Sequence, residues 1–578
     1  MKPNKKMSKE ERAEPEKACP VKQQRTRDLC ARWQKMQTVM QPWKTQWQEI
    51  ADLMMPRKAG ITSMTSTPSS SKEALLFDTT AGDAALTMAG GLMSWMTPAN
   101  ESWFSYDPVF DLRQSDRVKM WLQDCSFRVQ EMLGNSNFYT EQHEDLLNHV
   151  TFGTSALYSA FEDGRFYFES LPVGSFAIEE NAFGQVDTLF REFELTARQA
   201  REMFGAENLP TKIQDCLRDE TRQGSRYRFL HAVYPRSRAE RPDGPAACAA
   251  WGKPFASCYV ELSEKTLVRE SGYDSFPFAV GRYLKWSALS EKSPYGYGPG
   301  FAALPDARQV NFLQMMLDCA AEKMVRPAMI APEEMEGELI LSAGGITYMA
   351  SSIGQERWPK PISQVGDYSV GQERIKMRQD AVNAKFHAQL FNMFASLDRQ
   401  MTAREVAERA AEKITLITPA FSRLTSEKNT PILQRLFALA MEEGMLAPPP
   451  EEAVRAVSQF MGMVPDPTVV YTSRLALAIK QLRNASFERQ FQGDLQLASV
   501  RPDVLDNYNF DVITRDRARN NGMPAEWLMD EKAVAEMRAQ RAQAQQASQM
   551  TSMLEKGSKA VKNVGGMGEV EKLMEQLG

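Results

Sequence analysis

Apolar side chains recur at helical spacing in the first part of the chain. Between Trp33 and Met54 they alternate three and four positions apart, which predicts an amphipathic helix with one stripe facing a core. Pro42 lies inside this pattern and is expected to kink or divide the helix, because proline lacks the N–H of the helical hydrogen bond. Residues 1–27 are charged throughout and predict a flexible, solvated tail.

Three further helices are predicted before residue 154. Asp78 is expected to cap the first of them, because an Asp just before an apolar periodic run is a typical helix start. The other two are predicted over Asp116–Leu133 and Thr140–Phe152, and Gly134 and Gly153 are expected to end them.

The period changes to that of strands between Ser155 and about Trp286. Short runs rich in aromatic and β-branched residues alternate with turns there, which predicts a strand-dominated region. A helix over Thr196–Phe204 is expected to interrupt it, since Thr196 and Gln199 can form a capping box. The chain is therefore predicted to be α+β and mainly helical.

Two long helices follow and bracket a small insertion. The first is predicted over Asp306–Arg326 and the second over about Val370–Leu397, each with one apolar stripe. Residues 328–369 between them are short and mixed, with a small hairpin predicted over Gly344 and Gly345. The predicted stripes are Val310, Leu313, Leu317, Ala320 and Met324 on the first helix, and Val382, Phe386, Leu390, Met393 and Leu397 on the second.

The rest of the chain is predicted to be largely helical. A capping box at Thr402–Glu405 starts a helical pattern that runs towards Gly444, with interruptions expected before Pro419 and Pro431. The segment Pro448–Pro450 predicts a domain boundary. Near the C-terminus a polar run rich in Ala, Gln and Arg lacks a wide apolar stripe, so that helix is expected to be solvated or to pair with another chain.

Composition narrows the classes of function. The 578 residues include 69 Lys and Arg, 74 Asp and Glu, 4 His and 7 Cys, with a formal net charge of −5. This balance argues against a surface that holds nucleic acid by bulk charge, and the scattered cysteines support neither a zinc site nor a disulfide framework. No apolar run approaches the roughly 20 residues that span a bilayer, so no membrane partner is expected. The counts favour a large structural protein with reduced thiols.

The candidate catalytic motifs do not meet their geometric requirements. His143 and His149 are six residues apart, which places them on different faces of a helix and argues against a shared metal. The run Tyr295–Gly300 (YGYGPG) lacks the Lys and Ser or Thr of a phosphate-binding loop, and a turn with stacked tyrosines is predicted instead. No Walker A or Gly-x-Ser-x-Gly motif occurs. We therefore expect no cofactor, no metal and no catalytic residue.

Six stretches of the chain, taken in their order and spacing, resemble those of a known protein family. They are FDTTAGDAALTMAGGLMSWMTPANESWF (77–104), FGTSALY (152–158), LPVGSFAIEENAFGQVDTLFREFELTARQAREMFG (171–205), YGYGPGFAALPDARQVN (295–311), QMTAREVAER (400–409) and MPAEWLMDEKAVAEMRAQRAQAQQ (523–546). Together, across roughly residues 28–550, they resemble the head-to-tail connecting (portal) proteins of short-tailed, podovirus-type bacteriophages.

The resemblance implies a ring, typically of twelve subunits, at one capsid vertex. A terminase motor would drive double-stranded DNA inward through this channel, DNA would later leave through it, and a tail adaptor would dock on it. The implied regions are a tail (1–27), a wing (28–300), two stem helices (301–327 and 370–397), a clip (328–369), a tunnel loop with a long helix (398–447) and a helical crown with a flexible end (448–578).

The resemblance also implies partners and contact residues. The partners are further copies of the chain, double-stranded DNA, the terminase large subunit, tail adaptor and tail proteins, and the major capsid and scaffolding proteins. The protein is expected in the virion, after assembly in the host cytoplasm. The candidate DNA contacts are Arg399, Gln400 and Arg404 in the tunnel loop and, more weakly, Arg308, Lys323, Arg374, Arg378 and Lys385 on the stem; the candidate docking residues of the clip are Glu333, Glu334, Glu336 and Glu338.

Two other functions stay open at this point. A DNA-processing enzyme, such as a metal-dependent nuclease, would show metal-dependent activity in the isolated protein. A cytosolic helical scaffold would stay monomeric or form open assemblies. A closed ring with a central channel would distinguish a portal from both.

Overall fold

The structure is a computed structural model that describes residues 20–62, 75–108, 115–162, 164–237, 252–287, 292–325, 329–330, 360–361, 368–395, 418–459, 467–473, 487–488, 490–520, 527, 529 and 531–563. The chain divides into two compact units after Ala476. The crown assignment to 448–578 stays a prediction, although this division lies beyond the boundary predicted at Pro448–Pro450. The reason is a long-range strand pair: β14 (Thr468–Tyr471) pairs antiparallel with β1 (Phe104–Asp107) and belongs to the first unit.

The first unit combines helices with several antiparallel sheets. Its described helices are α1 (Pro20–Met54), α2 (Thr80–Met96), α3 (Asp116–Gly134), α4 (Phe138–Phe152), α5 (Ala197–Phe204), α6 (Thr211–Arg218), α7 (Pro299–Val325), α8 (Tyr368–Lys385), α9 (Ala388–Ala395), α10 (residues 418–424), α11 (Thr430–Glu442) and α12 (Glu451–Gln459). The predicted α+β class is confirmed.

Two sheets form the strand-rich region that the sequence predicts. One has the order β4-β5-β6-β7-β8 and the other the order β3-β2-β9. The strands of these sheets are β2 (Thr154–Glu162), β3 (Arg165–Ser170), β4 (Phe176–Glu180), β5 (Val186–Thr196), β6 (Arg226–Pro235), β7 (Phe255–Glu261), β8 (Thr266–Tyr273) and β9 (Phe278–Arg282). Two small hairpin pairs join β10 (Leu284–Ser287) to β11 (Lys292–Tyr297) and β12 (Met329–Ile330) to β13 (Lys360–Pro361).

The first helix is longer and less interrupted than predicted. It begins at Pro20, inside the segment assigned to the flexible tail, and continues through Pro42 without dividing. Pro42 lies on the exposed side of the helix, where water can satisfy the carbonyl that loses its donor. The stripe residues Trp33, Met36, Met40, Trp47, Ile50 and Met54 are buried as predicted.

The other early helix predictions are largely confirmed. Asp78 accepts a hydrogen bond from the Thr80 backbone N–H (3.0 Å), so it caps α2 from one position further out than expected. Gly153 ends α4 in the left-handed region with φ +72°, which favours glycine. The capping box of Thr196 and Gln199 is present at α5.

Both long helices depart from their predicted bounds. α7 begins at Pro299 rather than Asp306, and it runs through Pro305, whose side chain is exposed. The second helix does not reach Leu397 unbroken, because α8 ends at Lys385 and His387 adopts φ +51° before α9 begins. The hairpin predicted over Gly344 and Gly345 lies outside the described residues.

Two apolar clusters stand out in the core of the first unit. The larger one joins α3, α4, β1 to β3, α11 and α12 through residues such as Phe104, Val129, Phe168 and Leu433. The smaller one packs α5 and α6 on the five-stranded sheet around Phe229.

The second unit is described mainly by its helices: α13 (490–498), α14 (Phe510–Asn520) and α15 (Glu531–Asn563). Phe491 and Tyr508 pack edge to face with ring centroids 5.4 Å apart. Both terminal nitrogens of Arg538 on α15 donate to Asp511 on α14 at 2.6 Å.

Candidate channel helices and the buried cluster beside them

The YGYGPG segment positions the start of α7 rather than binding a ligand. It forms strand β11 and the first turn of α7, so the predicted turn with stacked tyrosines is wrong. Tyr295 is buried edge-on against Trp47, with ring centroids 5.2 Å apart. Gly300 lies directly against the backbone carbonyl of Thr151, and a Cβ there would clash with that oxygen. The glycines therefore allow the chain to pass close to the end of α4.

Helices α7 and α8 form an antiparallel pair. Gly371 on α8 lies beside Leu317 on α7, where a Cβ would be 2.7 Å from the nearest leucine carbon. Further along, Arg378 donates to Asp306 at 2.7 Å. The predicted apolar stripes are confirmed at Val310 and Val382, which are buried, but not at Met324, which is exposed at the far end of α7.

The base of this pair is tied to α2 by hydrogen bonds. Asn311 Oδ1 accepts from the backbone N–H of Phe77 at 2.7 Å. Gln379 Nε2 donates to Asp78 Oδ2, also at 2.7 Å. Asp78 thus both caps α2 and holds α8.

The five basic candidates on these helices fall into two groups. Arg308 forms an ion pair with Glu49, and Arg378 forms the ion pair with Asp306 described above. Lys323, Arg374 and Lys385 are exposed and form no ion pair with any described residue. A basic side chain that is already paired with a carboxylate attracts a phosphate less strongly. Lys323, Arg374 and Lys385 are therefore the stronger candidates for contact with an anion.

The remaining candidates are those of the tunnel loop and the clip. Arg399, Gln400 and Arg404 lie outside the described residues, and so do Glu333, Glu334, Glu336 and Glu338. Their assignment as DNA-contact and docking residues stays a prediction. The described ends of the insertion do come together, since β12 pairs antiparallel with β13.

A fully buried ion pair supports the helix that follows this region. Lys428 donates to Asp145 Oδ2 on α4, and both side chains are 0% exposed. Ser155 Oγ donates to the same oxygen at 2.8 Å. Burial lowers the pKa of Lys428, while the charge of Asp145 acts in the opposite direction.

A second ion pair lies at the preceding residue of the chain. Arg282 on β9 donates to Glu427 through Nε (3.0 Å) and Nη2 (2.9 Å). The same guanidinium contacts Glu180 and donates to the Gly184 carbonyl at 3.1 Å. Its side chain is 2% exposed, so these partners are what satisfies its charge in the interior.

His149 lies next to this cluster, near Lys428. Its side chain is buried on α4, and burial together with the Lys428 charge lowers its pKa to about 3. His149 is therefore neutral at pH 7. No group of three or more His, Cys, Asp or Glu side chains among the described residues could hold a metal ion.

Sequence reasoning did not single out this cluster. One signal was present: Lys428 lies four positions from both Leu424 and Ile432, which are buried. A lysine in the middle of an apolar stripe indicates a buried charge and hence a buried partner. The partner itself is 283 residues away in the chain, which no local pattern reveals.

The outer face of the helix pair is unexpectedly apolar. Phe312 and Met316 on α7 are 53% and 51% exposed, and Val370 and Met377 on α8 are 55% and 72% exposed. None of the described helices is long and apolar enough to cross a bilayer.

Comparison with known proteins identifies the family. Residues 26–529 match the family model described as bacteriophage head to tail connecting protein, and the chain belongs to this family. The resemblance carried by the six stretches is thereby confirmed. Members of this family are structural proteins and not enzymes.

Two proteins of other phages are similar to this chain over most of its length. The chain is 29% identical over 519 residues to the "Probable portal protein" of Bordetella phage BPP-1, which covers 89% of this chain and 90% of that protein. It is 26% identical over 507 residues to the "Portal protein" of Salmonella phage epsilon15, with coverages of 86% and 88%.

Proposed function

We propose that this chain is the portal subunit of a tailed bacteriophage. Copies of it form a ring, with twelve as the expected number, at one vertex of the capsid in the virion. The observation that carries this proposal is the family match over residues 26–529, together with two relatives named as portal proteins. Neither a nuclease nor a cytosolic scaffold has comparable support.

The ring's role is mechanical. The terminase large subunit drives double-stranded DNA through the channel into the head, and the same DNA later leaves towards the tail. The ring contacts the major capsid and scaffolding proteins during assembly in the host cytoplasm, and a tail adaptor docks on it afterwards. The acidic clip residues Glu333, Glu334, Glu336 and Glu338 are the proposed docking residues.

The charge balance suits a passage better than a clamp. Twelve chains would carry a formal charge of about −60, given −5 for each. Duplex DNA carries one negative charge per roughly 1.7 Å of axis, so a strongly basic lumen would bind it and resist sliding. A few basic or polar side chains suffice for transient contact: Arg399, Gln400 and Arg404 in the tunnel loop, and Lys323, Arg374 and Lys385 on the stem helices.

The described helices fit the proposed regions of a portal subunit. The pair α7 and α8 corresponds to the stem, and the segment between them to the clip. Four apolar side chains of α7 and α8 are exposed: Phe312, Met316, Val370 and Met377. We expect neighbouring copies to cover them in the ring, because a large exposed apolar patch marks an interaction surface. The C-terminal unit, which contains α15, is the proposed crown.

Electron microscopy of the purified chain, combined with a nuclease assay, tests this proposal. Closed rings with a central channel and no metal-dependent cleavage of DNA are expected. A monomer, an open assembly or metal-dependent cleavage would each refute it. As a matched variant, Arg399→Asp should leave the ring intact and reduce the DNA retained per particle; loss of the ring would show that Arg399 has a structural role instead.

A further inference from the structure

The outer face of α3 combines large apolar side chains with carboxylates. Four exposed residues follow one another on it at spacings of four, three and four: Met120, Asp124, Phe127 and Glu131. Residues at these spacings lie on one side of an α-helix. We call these four residues the α3 stripe. Met120 and Phe127 are 66% and 55% exposed, and neither carboxylate forms an ion pair with a described residue.

The folding of α3 does not require this stripe. The opposite side of the helix supplies its packing, because Val118, Leu122, Val129 and Leu133 are buried in the larger apolar cluster. Two large apolar side chains that are exposed within two turns, next to unpaired carboxylates, have no role inside the described part of the chain. An exposed apolar patch with polar groups at its edge marks an interaction surface.

A small cavity lies in another part of the first unit, between α1, β4 and β11. Its volume is about 240 Å³, and most of its lining is apolar, with Met36, Val39, Ile178 and Tyr295 among the lining residues. Sites for cofactors and drug-sized ligands are usually larger, at about 300–1,000 Å³. The cavity therefore suits a single side chain better than a free small molecule.

An unpaired positive charge lies at this cavity. Lys35 lines it, is exposed, and forms no ion pair with a described residue. The two carboxylates of the lining, Glu179 and Glu180, are already in ion pairs with basic residues of the same chain. Val39, four positions after Lys35, is 53% exposed. An incoming partner would meet apolar surface beside a lysine that lacks an acidic partner.

The α3 stripe and the cavity complement each other in size and in charge. Phe127 offers one aromatic side chain, and Asp124 and Glu131 lie about one turn before and after it, where a carboxylate can meet Lys35. We propose that the α3 stripe of one copy docks at the cavity of the next copy, with Phe127 inserted. An aromatic side chain that fills a pocket is a frequent main contributor to binding energy.

The choice of a second copy rests on the proposed function. The stripe and the cavity share no secondary-structure element, and a contact between two different surfaces of identical chains closes into a ring when its rotation permits. Phe183, which is 89% exposed, is a less suitable anchor. It follows the lining residue Glu180 by three positions. Two copies that exchanged it would use the same surface twice and would form a pair instead of a ring.

Cross-linking of the purified full-length chain tests the contact directly. The photoreactive residue p-benzoylphenylalanine replaces Phe127, and the variant is mixed with unaltered chain labelled with nitrogen-15. After irradiation we expect an adduct of one labelled and one unlabelled copy, with mass spectrometry placing the cross-link at Met36 or Val39. The same replacement at Met203 on α5, which is 38% exposed, should give no adduct at the cavity.

Substitutions measure how much the contact contributes to assembly. Phe127→Ala should raise the protein concentration at which half of the chains are in rings by roughly tenfold or more. Lys35→Glu should raise it less, and more at low than at high salt, because salt screens exposed charges. Asp124→Lys or Glu131→Lys should then restore assembly of the Lys35→Glu chain.

A matched cation provides the control for these substitutions. Lys212 on α6 is exposed and, like Lys35, forms no ion pair with a described residue. Lys212→Glu should leave the assembly concentration unchanged. Urea unfolding of each variant confirms that its fold is retained, which is expected because every altered side chain is exposed.

The outcomes separate this inference from the proposed portal function. If the unaltered chain forms rings but the residue at position 127 gives no adduct at the cavity of another copy, the docking proposal is wrong and the portal proposal stands. Normal assembly of Phe127→Ala, or an adduct that forms only with a different phage protein, would also overturn it. If the adduct forms but the assemblies are open, the contact stands and the closed ring is wrong.

Discussion

Helices α4 and α15 differ sharply in what surrounds them. α4 has ten buried residues in its 15 positions, including the polar side chains of Gln142, Asp145, Asn148 and His149. On α15, every side chain from Arg538 to Met553 is exposed. Both segments are helical, but of their described side chains only those of α4 are packed into a core.

The contrast shows how two helices of one chain can be stabilised by different means. Most helical stability in proteins comes from packing of an apolar face, and α4 obtains it from β2, β3, α2 and α7. α15 has an ion pair with α14 and is rich in Ala, Glu, Gln, Lys and Arg, which favour helices intrinsically. In the proposed ring it would gain packing from neighbouring copies, which is the crown arrangement that the resemblance implies.

Truncating one apolar side chain in each helix gives the largest expected difference. Leu147 on α4 is 0% exposed, and Met550 on α15 is 67% exposed. Leu147→Ala should lower the free energy of unfolding by about 2–5 kcal/mol, because it leaves a cavity in the core. Met550→Ala should change it by less than about 0.5 kcal/mol in the isolated chain. Urea unfolding measures both, and equal effects would show that the contrast between the helices is wrong.

Lowering the pH should reduce the stability of the folded chain through the buried histidine of α4, whereas α15 should not contribute to this loss. The folded state keeps His149 neutral, with a pKa of about 3, whereas an unfolded histidine binds a proton below about pH 6.5. The unfolded state therefore binds more protons between these values, and stability falls as the pH falls from about 6.5 towards 3, by up to about 1.4 kcal/mol per pH unit. His231, also buried, has its pKa lowered well below the usual value and adds to this loss.

Unfolding curves recorded between pH 7 and 4 measure this dependence. His149→Gln should flatten it, because the glutamine does not titrate. Removal of α15, which contains no histidine, should leave the slope unchanged. A slope that survives in a variant lacking both His149 and His231 would assign the acid sensitivity to carboxyl groups instead.

The smallest effect is expected for the ion pair of α15. Arg538 and Asp511 are both more than half exposed, and water and salt screen such a pair. Arg538→Gln should leave the urea midpoint of the isolated chain unchanged within error, at both low and high salt. A salt-dependent loss of stability would mean that the C-terminal unit relies on this contact more than its exposure implies.

Local patterns were enough to predict many elements of the fold. The bounds of α3, α4 and α5, with their caps, follow from residues within one or two turns of each helix end. The strand-rich region is visible in the same way, from alternating aromatic and β-branched residues. Prolines were less informative: α1 and α7 continue through Pro42 and Pro305, because both rings point to solvent and a helix tolerates a lost hydrogen bond there.

The basic residues of the candidate site were also predictable only in part: the sequence locates them on helices but does not show their partners. Four basic residues lie on the two predicted stem helices, namely Arg308, Lys323, Arg378 and Lys385. Nothing in the sequence distinguishes them as candidates for contact with DNA. Only the fold shows that Arg308 and Arg378 already have acidic partners, Glu49 and Asp306. The π-helical turn over Thr425–Asn429 was not predictable either, because its residues Glu427 and Lys428 form their contacts with elements far away in the sequence.

Periodicity, helix caps and the order of six short stretches were sufficient to assign the α+β class and the connecting-protein family from the sequence alone. These signals are local, or depend only on order along the chain. The tertiary structure decided that β14 closes against β1 and that Lys428 is buried against Asp145. It also decided which cations of α7 and α8 have an acidic partner among the described residues. Strand pairing and Coulomb attraction depend on distance through space, and that distance exists only once the chain has folded.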